Sequence, residues 1–117
     1  MPMALKQQVV TARQQTRMGR PVDLAHLSSQ TMGDAALEGE VLSMFCTQSQ
    51  IYLKMMQHSC DVTNRIRAAH SLKGAARSIG AFALADRAAE VETAIHDGYG
   101  AVETELGRVL DYIATLR

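Results

Sequence analysis

One histidine, His70, lies in a stretch whose spacing surrounds it with cations. Helix positions three, four and seven residues apart share a face, which His70 would share with Arg67, Lys73, Gly74 and Arg77. The three cations favour the neutral imidazole, whose lone pair can act as a nucleophile. Lys73 and Arg77 would then neutralise an anionic group carried on the ring. The stretch therefore predicts a histidine that holds a phosphoryl group.

Gly74 is the unusual residue of this face, because a glycine inside a helix costs about 1 kcal/mol relative to alanine. Helical side chains lean toward the N-terminus, so a side chain at position 74 would lie over the imidazole of His70. The glycine therefore opens space beside the histidine. An incoming phosphoryl donor or a closely packed second helix would use that space.

The elements that must position His70 are helices. The chain is rich in Ala, Leu, Met, Glu, Arg and Gln, which favour helices, and it has no proline after Pro21. No alternating strand pattern is present. Apolar residues three and four positions apart predict four main helices after a short one. The expected bounds are 22–30 for the short helix and 35–57, 62–79, 82–97 and 101–116 for the main ones.

Short connections between these helices predict an all-α fold, an antiparallel up-down-up-down four-helix bundle with a short capping helix. Residues 1–20 are expected to be an N-terminal extension, helical or disordered, and residues 21–117 to form the bundle. In the extension Leu5, Val9, Ala12 and Thr16 share a thin stripe. The stripe expected to face the core from helix 35–57 is Leu37, Val41, Met44 or Phe45, Gln48, Ile51 or Tyr52, and Met55.

Composition excludes several classes of function. The chain has 117 residues, one domain's length, and its 12 Lys and Arg balance 12 Asp and Glu. Zero net charge argues against a nucleic-acid binder, which needs a basic excess. The sequence contains no apolar run as long as a membrane span and no secretory signal. Two cysteines without a CxxC pair indicate reduced thiols and a cytoplasmic location.

The remaining histidines give no sign of a cofactor. His26, His58 and His96 form no metal-binding motif, so neither a metal nor another cofactor is expected. No glycine-rich loop lies between a strand and a helix, which argues against nucleotide binding. The chain is therefore not expected to phosphorylate itself from ATP.

The segment 68–92, with HSLKGAA at 70–76 and EVE at 90–92, closely resembles histidine-containing phosphotransfer (HPt) domains. These domains are the phosphorelay intermediates of two-component signalling. The shared motif is HxxKGxxxxxG, whose second glycine is Gly80, and the resemblance extends over roughly 22–117. It implies a four-helix bundle with the phosphorylated histidine exposed midway along one helix.

The resemblance implies a role for each residue of the motif. His70 is the phosphoacceptor, Lys73 stabilises the phosphoryl oxygens, and Gly74 lets a partner's active site come close. Arg77 is a cation beyond the family pattern, suited to a phosphoryl or partner contact. Glu92 occupies the position of a polar side chain that orients the imidazole; glutamine is common there, and glutamate resembles chemotaxis-type kinases. A carboxylate raises the basicity of the free ring nitrogen, against the effect of the cations, and the sequence leaves open which prevails.

The implied partners are an upstream histidine kinase or hybrid kinase and the receiver domains of response regulators. The catalytic Mg²⁺ is expected on the receiver, and neither nucleic acid nor membrane is expected as a partner. Docking is expected on the helices at 62–79 and 82–97, where small side chains surround His70. These small residues are Ala68, Ser71, Ala75 and Ser78.

Two alternatives to a free-standing phosphorelay protein remain open. One is a helical interaction or dimerisation module that is not phosphorylated, which would need an exposed apolar stripe outside the core. The other is the HPt domain of a larger chemotaxis-type kinase, which the glutamate at Glu92 suggests.

Overall fold

The computed structural model describes residues 20–94 and 99–116, and within these ranges the chain forms five α-helices and no strand. The expected N-terminal extension lies outside the described residues as far as residue 19. The last residues of the helix expected to finish at 97 also lie outside them. The helices are α1 (Leu24–Gln30), α2 (Ala35–His58), α3 (Val62–Ile79), α4 (Phe82–Ala94) and α5 (Tyr99–Thr115).

The four long helices form a closed ring, in which each packs against the next and α5 returns to α2. The short connections at 59–61 and 80–81 make successive helices antiparallel. Helix α1 packs against α3 and caps one end of the bundle. Near the other end, Gln57 on α2 donates a hydrogen bond to Glu103 on α5. The prediction of an all-α bundle with a short capping helix is confirmed.

Both ends of α3, the helix that carries the motif, are fixed by local chemistry. At the start, Asp61 accepts a 2.9 Å hydrogen bond from the backbone N–H of Thr63. At the end, Gly80 adopts a left-handed φ of +83°, and the N–H of Ala81 donates to the carbonyl of Ala76 at 2.8 Å. This Schellman-type ending turns the chain directly into α4. The predicted stop at Gly80 is confirmed.

A tertiary contact also requires glycine at position 80. The backbone N–H of Asp23 donates to the carbonyl of Gly80 at 2.9 Å. A Cβ at position 80 would lie only 2.7 Å from the carbonyl oxygen of Asp23. The position therefore needs glycine for its space as well as for its φ. This contact holds the α3–α4 turn against the segment that leads into α1.

The predicted apolar stripes of α3, α4 and α5 are mostly buried, so the bundle core follows the 3.6-residue period of the sequence. Of the other predicted stripe residues, Val62 at the start of α3 and Leu116 after α5 are exposed, Ile66 is half-buried, and Ile95 lies outside the described residues. The buried residues of these stripes are Ala69, Leu72, Ala76 and Ile79 on α3, Leu84, Ala88 and Val91 on α4, and Val102, Leu106, Val109 and Ile113 on α5.

On α2 the predicted core face is wrong at Leu37, Gln48 and Met55, which are exposed, whereas Val41 is half-buried as part of the core's edge. Two apolar stripes run along this helix. They are offset by one residue, so they lie about 100° apart around the helix axis. The stripe that faces the core carries the aromatic ring of Phe45, whose burial removes a large apolar area from water. Its buried members are Leu42, Phe45, Ser49 and Met56. At the two positions where the sequence left alternatives, Phe45 rather than Met44 is buried, and Tyr52 is half-buried while Ile51 is exposed.

Candidate functional site

His70 lies midway along α3 and its side chain is 70% exposed. Ala69 and Leu72, its neighbours on the other side of the helix, are completely buried. The backbone of this turn is therefore anchored in the core while the imidazole extends into solvent. An exposed imidazole on a fixed backbone is suited to reaction with a group carried by another protein.

One nitrogen of the His70 ring is held by Glu92 on α4. Nδ1 lies 3.0 Å from Oε2 and 3.2 Å from Oε1 of that carboxylate. Because an ionised carboxylate can only accept, the contact requires a proton on Nδ1. In the neutral ring the lone pair is then on Nε2. The helix pair thus selects the tautomer in which Nε2 is the nucleophile.

Lys73 binds the same carboxylate. Its Nζ lies 2.6 Å from Oε1 and 2.9 Å from Oε2 of Glu92. The two side chains are only 18% and 17% exposed, so solvent screens this pair less than an ion pair on open surface. An ammonium has three N–H donors, and two hydrogen bonds to Glu92 leave one. The sequence analysis predicted one role at His70 for Lys73 and another for Glu92, but it did not predict that these two side chains bind each other.

These contacts change the acidity of Glu92. The hydrogen bond from Lys73 lowers the pKa of Glu92 below its ordinary value of 4.5, the contact with His70 lowers it further, and partial burial opposes both. The carboxylate is therefore ionised at neutral pH. An ionised acceptor orients the Nδ1–H of the ring and stabilises positive charge that develops on it.

The space at Gly74 is open. A Cβ built at this position meets no other atom within 4 Å. Within residues 20–94 and 99–116, no other helix packs so closely against position 74 that a glycine is required there. The alternative, space for a group that arrives from outside, agrees with the open surface beside His70.

The surface around His70 carries the expected exposed cations, but one of the four small residues expected there is buried. Arg67 and Arg77 are exposed on the His70 side of α3. Of the small residues, Ser71 and Ser78 are exposed and Ala75 is half-buried. The fourth, Ala68, is 2% exposed, because it lies on the core side of the helix. A partner therefore cannot contact Ala68.

A shallow groove between α2 and α3 adjoins this small-residue surface. Ala75 and Ser78 line it on α3, and Met44 and Gln48 line it on α2. Met44, which the sequence analysis gave as the alternative to Phe45 for the core position, is 58% exposed. An apolar margin of the site was therefore missed. The sequence does contain the second apolar stripe of α2 that forms this margin. Periodicity alone, however, does not tell which of the two stripes is buried and which is exposed.

The described part of the chain contains no group of three or more His, Cys, Asp or Glu side chains that could hold a metal ion. None of the helices within it combines the length and apolar character needed to cross a bilayer.

Comparison with known proteins gives two matches. The sequence model of the Hpt domain family matches residues 40–117, a range that includes α3 and α4. Among solved structures, the crystal structure of the histidine phosphotransferase ShpA from Caulobacter crescentus is similar, with a TM-score of 0.69 and 32% sequence identity. That match covers 82% of this chain and 90% of the other. The search of curated proteins found no match.

Proposed function

The chain belongs to the Hpt domain family, and we propose that it relays phosphoryl groups through His70. The donor is a histidine kinase or hybrid kinase, the acceptor is the receiver domain of a response regulator, and the transfer runs in both directions. The observation that carries this proposal is the exposed imidazole whose Nδ1 is held by Glu92. It leaves the Nε2 lone pair for a phosphoryl group delivered from outside.

The transfer begins when the Nε2 lone pair of His70 attacks the phosphorus of the donor. An N–P bond forms while the bond between phosphorus and the donor atom breaks, and the electron pair of that bond leaves with the donor. Nδ1 keeps its proton, so the ring gains positive charge. The Glu92 carboxylate, 3.0 Å from Nδ1, stabilises that charge without moving.

Two further groups support the phosphorylated state. The third N–H of Lys73 is available to a phosphoryl oxygen while the other two bind Glu92. Arg77, exposed one further turn along α3, adds positive charge for the phosphoryl group or the partner. The catalytic Mg²⁺ belongs to the receiver, and the chain itself binds no ATP.

Phosphorylation of the full chain tests this function. The chain is incubated with an active histidine kinase and ATP labelled in the γ-phosphate, with and without a receiver domain. We expect label on the chain that survives alkali, is lost in acid, and moves to the receiver. The His70→Gln variant should remain unlabelled. His58→Gln is the matched control, because His58 is also exposed on a helix, and it should label fully. Equal labelling of His70→Gln and the unmodified chain would overturn the proposal.

A second function has one observation in its favour. Four large apolar side chains of α2 are exposed, as a helical interaction module without phosphorylation would require. Such a module predicts no label on His70 with any kinase, together with self-association or partner binding that does not change in His70→Gln. Sedimentation of the full chain over a range of concentrations, alongside the labelling assay, separates the two functions.

A further inference from the structure

One polar residue interrupts an exposed apolar row on α2. In this row Met44, Ile51 and Met55 are exposed by 58%, 52% and 41%. Gln48 lies between Met44 and Ile51, and its side chain is exposed as well. The four residues follow one another at steps of four, three and four, so they share one side of the helix. We call Met44, Gln48, Ile51 and Met55 the outer row of α2.

The outer row lies beside the reactive part of α3. Gln48 lines the same groove as Ala75, and Ala75 lies about 7.5 Å from His70 along the helix axis at 1.5 Å per residue. Because α2 and α3 are antiparallel, Ile51, the next member of the row, lies one turn nearer to the level of His70. A specific protein interface covers about 800 Å² on each partner. A protein domain that docks over His70 therefore also covers Gln48.

We propose that Gln48 determines which receiver domain accepts the phosphoryl group from His70, an inference that rests on the proposed function. The side-chain amide of Gln48 offers two N–H donors and one carbonyl acceptor. Within the described part of the chain no hydrogen bond occupies them, so solvent satisfies them in the free chain. A docked partner removes that solvent. The partner must then supply a polar group opposite Gln48, or the amide is left unsatisfied.

The apolar members of the outer row do not discriminate in this way. Met44 and Ile51 lose contact with water against any apolar surface, so they contribute affinity for many partners. A buried amide instead disfavours every partner that lacks a matching donor or acceptor. The selective element of the outer row is therefore its one polar residue.

Charge on the neighbouring helix favours a receiver as the occupant. Arg67 and Arg77 are exposed on the His70 side of α3. A receiver accepts the phosphoryl group on an aspartate and holds Mg²⁺ through carboxylates, so its active site is acidic. The two arginines complement that charge. The preferred receiver thus combines an acidic centre for His70 with an apolar strip that carries one polar group for Gln48.

Transfer to a panel of receivers tests the proposal. The full chain is phosphorylated by a histidine kinase with labelled ATP, separated from kinase and nucleotide, and mixed in turn with each receiver domain of the same organism. The transfer rate at several receiver concentrations gives the maximal rate and the half-saturating concentration. Gln48→Met makes the outer row wholly apolar. Gln50→Met is the matched control, because Gln50 lies two turns before Gln57 on the side of α2 that meets α5.

We expect the wild-type chain to prefer one receiver. In Gln48→Met the ratio of transfer efficiencies between that receiver and the next should fall about 10-fold. The change should come from a higher half-saturating concentration of the preferred receiver. The maximal rate should be unchanged, because Gln48 does not contact the reacting atoms. Gln50→Met should keep the wild-type ratio, and circular dichroism should show both variants fully helical.

Three results would overturn the proposal while His70 still takes the label. They are an unchanged ratio in Gln48→Met, an equal fall of the ratio in Gln50→Met, and a wild-type chain that serves all receivers equally. Slower labelling of Gln48→Met by the kinase, with an unchanged ratio among receivers, would overturn it as well and assign the outer row to the kinase. Failure of the proposed function is distinct, because His70 would then take no label and both proposals would fall.

Discussion

The ammonium of Lys73 lies 2.6 Å from one carboxylate oxygen of Glu92 and 2.9 Å from the other. The lysine therefore acts on the histidine indirectly, because it keeps ionised the carboxylate that orients the ring. It also retains a donor for a phosphoryl oxygen. One side chain thus supports His70 both before and after phosphorylation.

Changes at Glu92 should separate orientation from charge. In Glu92→Gln the amide oxygen can still accept from Nδ1–H, but the negative charge is lost, and we expect phosphotransfer to slow about 10-fold. In Glu92→Ala both contributions are lost, and we expect a decrease of about 100-fold. Transfer rates to a receiver, together with the ring ¹⁵N shifts of His70, measure the two effects. Wild-type transfer in the alanine variant would contradict this role.

The stability of the bundle should depend on the ionisation of Glu92. The hydrogen bond from Lys73, followed by the His70 contact, lowers the pKa of this carboxyl in the folded chain, so the unfolded chain binds the proton more readily. The resulting stability is fully present above the ordinary pKa of 4.5 and is lost as the pH falls through the lower folded value. Urea unfolding below pH 4.5 should show a smaller loss in Glu92→Gln than in wild type. Parallel pH curves would show that Glu92 does not contribute.

Gly74→Ala should improve the fold while it impairs transfer. The added methyl group meets nothing within the described structure, and alanine favours the helix by up to about 1 kcal/mol. We expect a higher free energy of unfolding and at least a 10-fold slower transfer, because the methyl group lies where the donor must approach. Gly107→Ala in α5, also in open space, is the control. It should gain stability and transfer normally.

Gly80→Ala should destabilise the bundle. The left-handed φ alone costs a non-glycine residue about 1–2 kcal/mol, and the close approach of Asp23 adds to that. Urea unfolding measures the loss, again with Gly107→Ala as the reference for a glycine that lies in open space. A free energy of unfolding equal to wild type would mean that the α3–α4 turn is not held as described.

Local features of this fold follow from the sequence because they depend on neighbouring residues. The face shared by His70 and Gly74 and the caps at Asp61 and Gly80 need only helix geometry and short-range hydrogen bonds. The pairing of Lys73 with Glu92 depends on how α3 and α4 align, which periodicity does not give. The buried face of α2 was predicted only in part because two apolar stripes compete, and only the packing of the other helices selects between them.

The two-residue connection at 80–81 has a consequence for how this domain can vary. His70 lies ten residues before Gly80, and Glu92 lies eleven residues after Ala81. One inserted residue there would shift α4 by about 1.5 Å and turn it by about 100° relative to α3, which would carry the carboxylate away from the imidazole. Relatives that transfer phosphate in the same way should therefore differ in length at 59–61 rather than at this hairpin. The chemistry of the ring thus depends on the length of a turn that performs none itself.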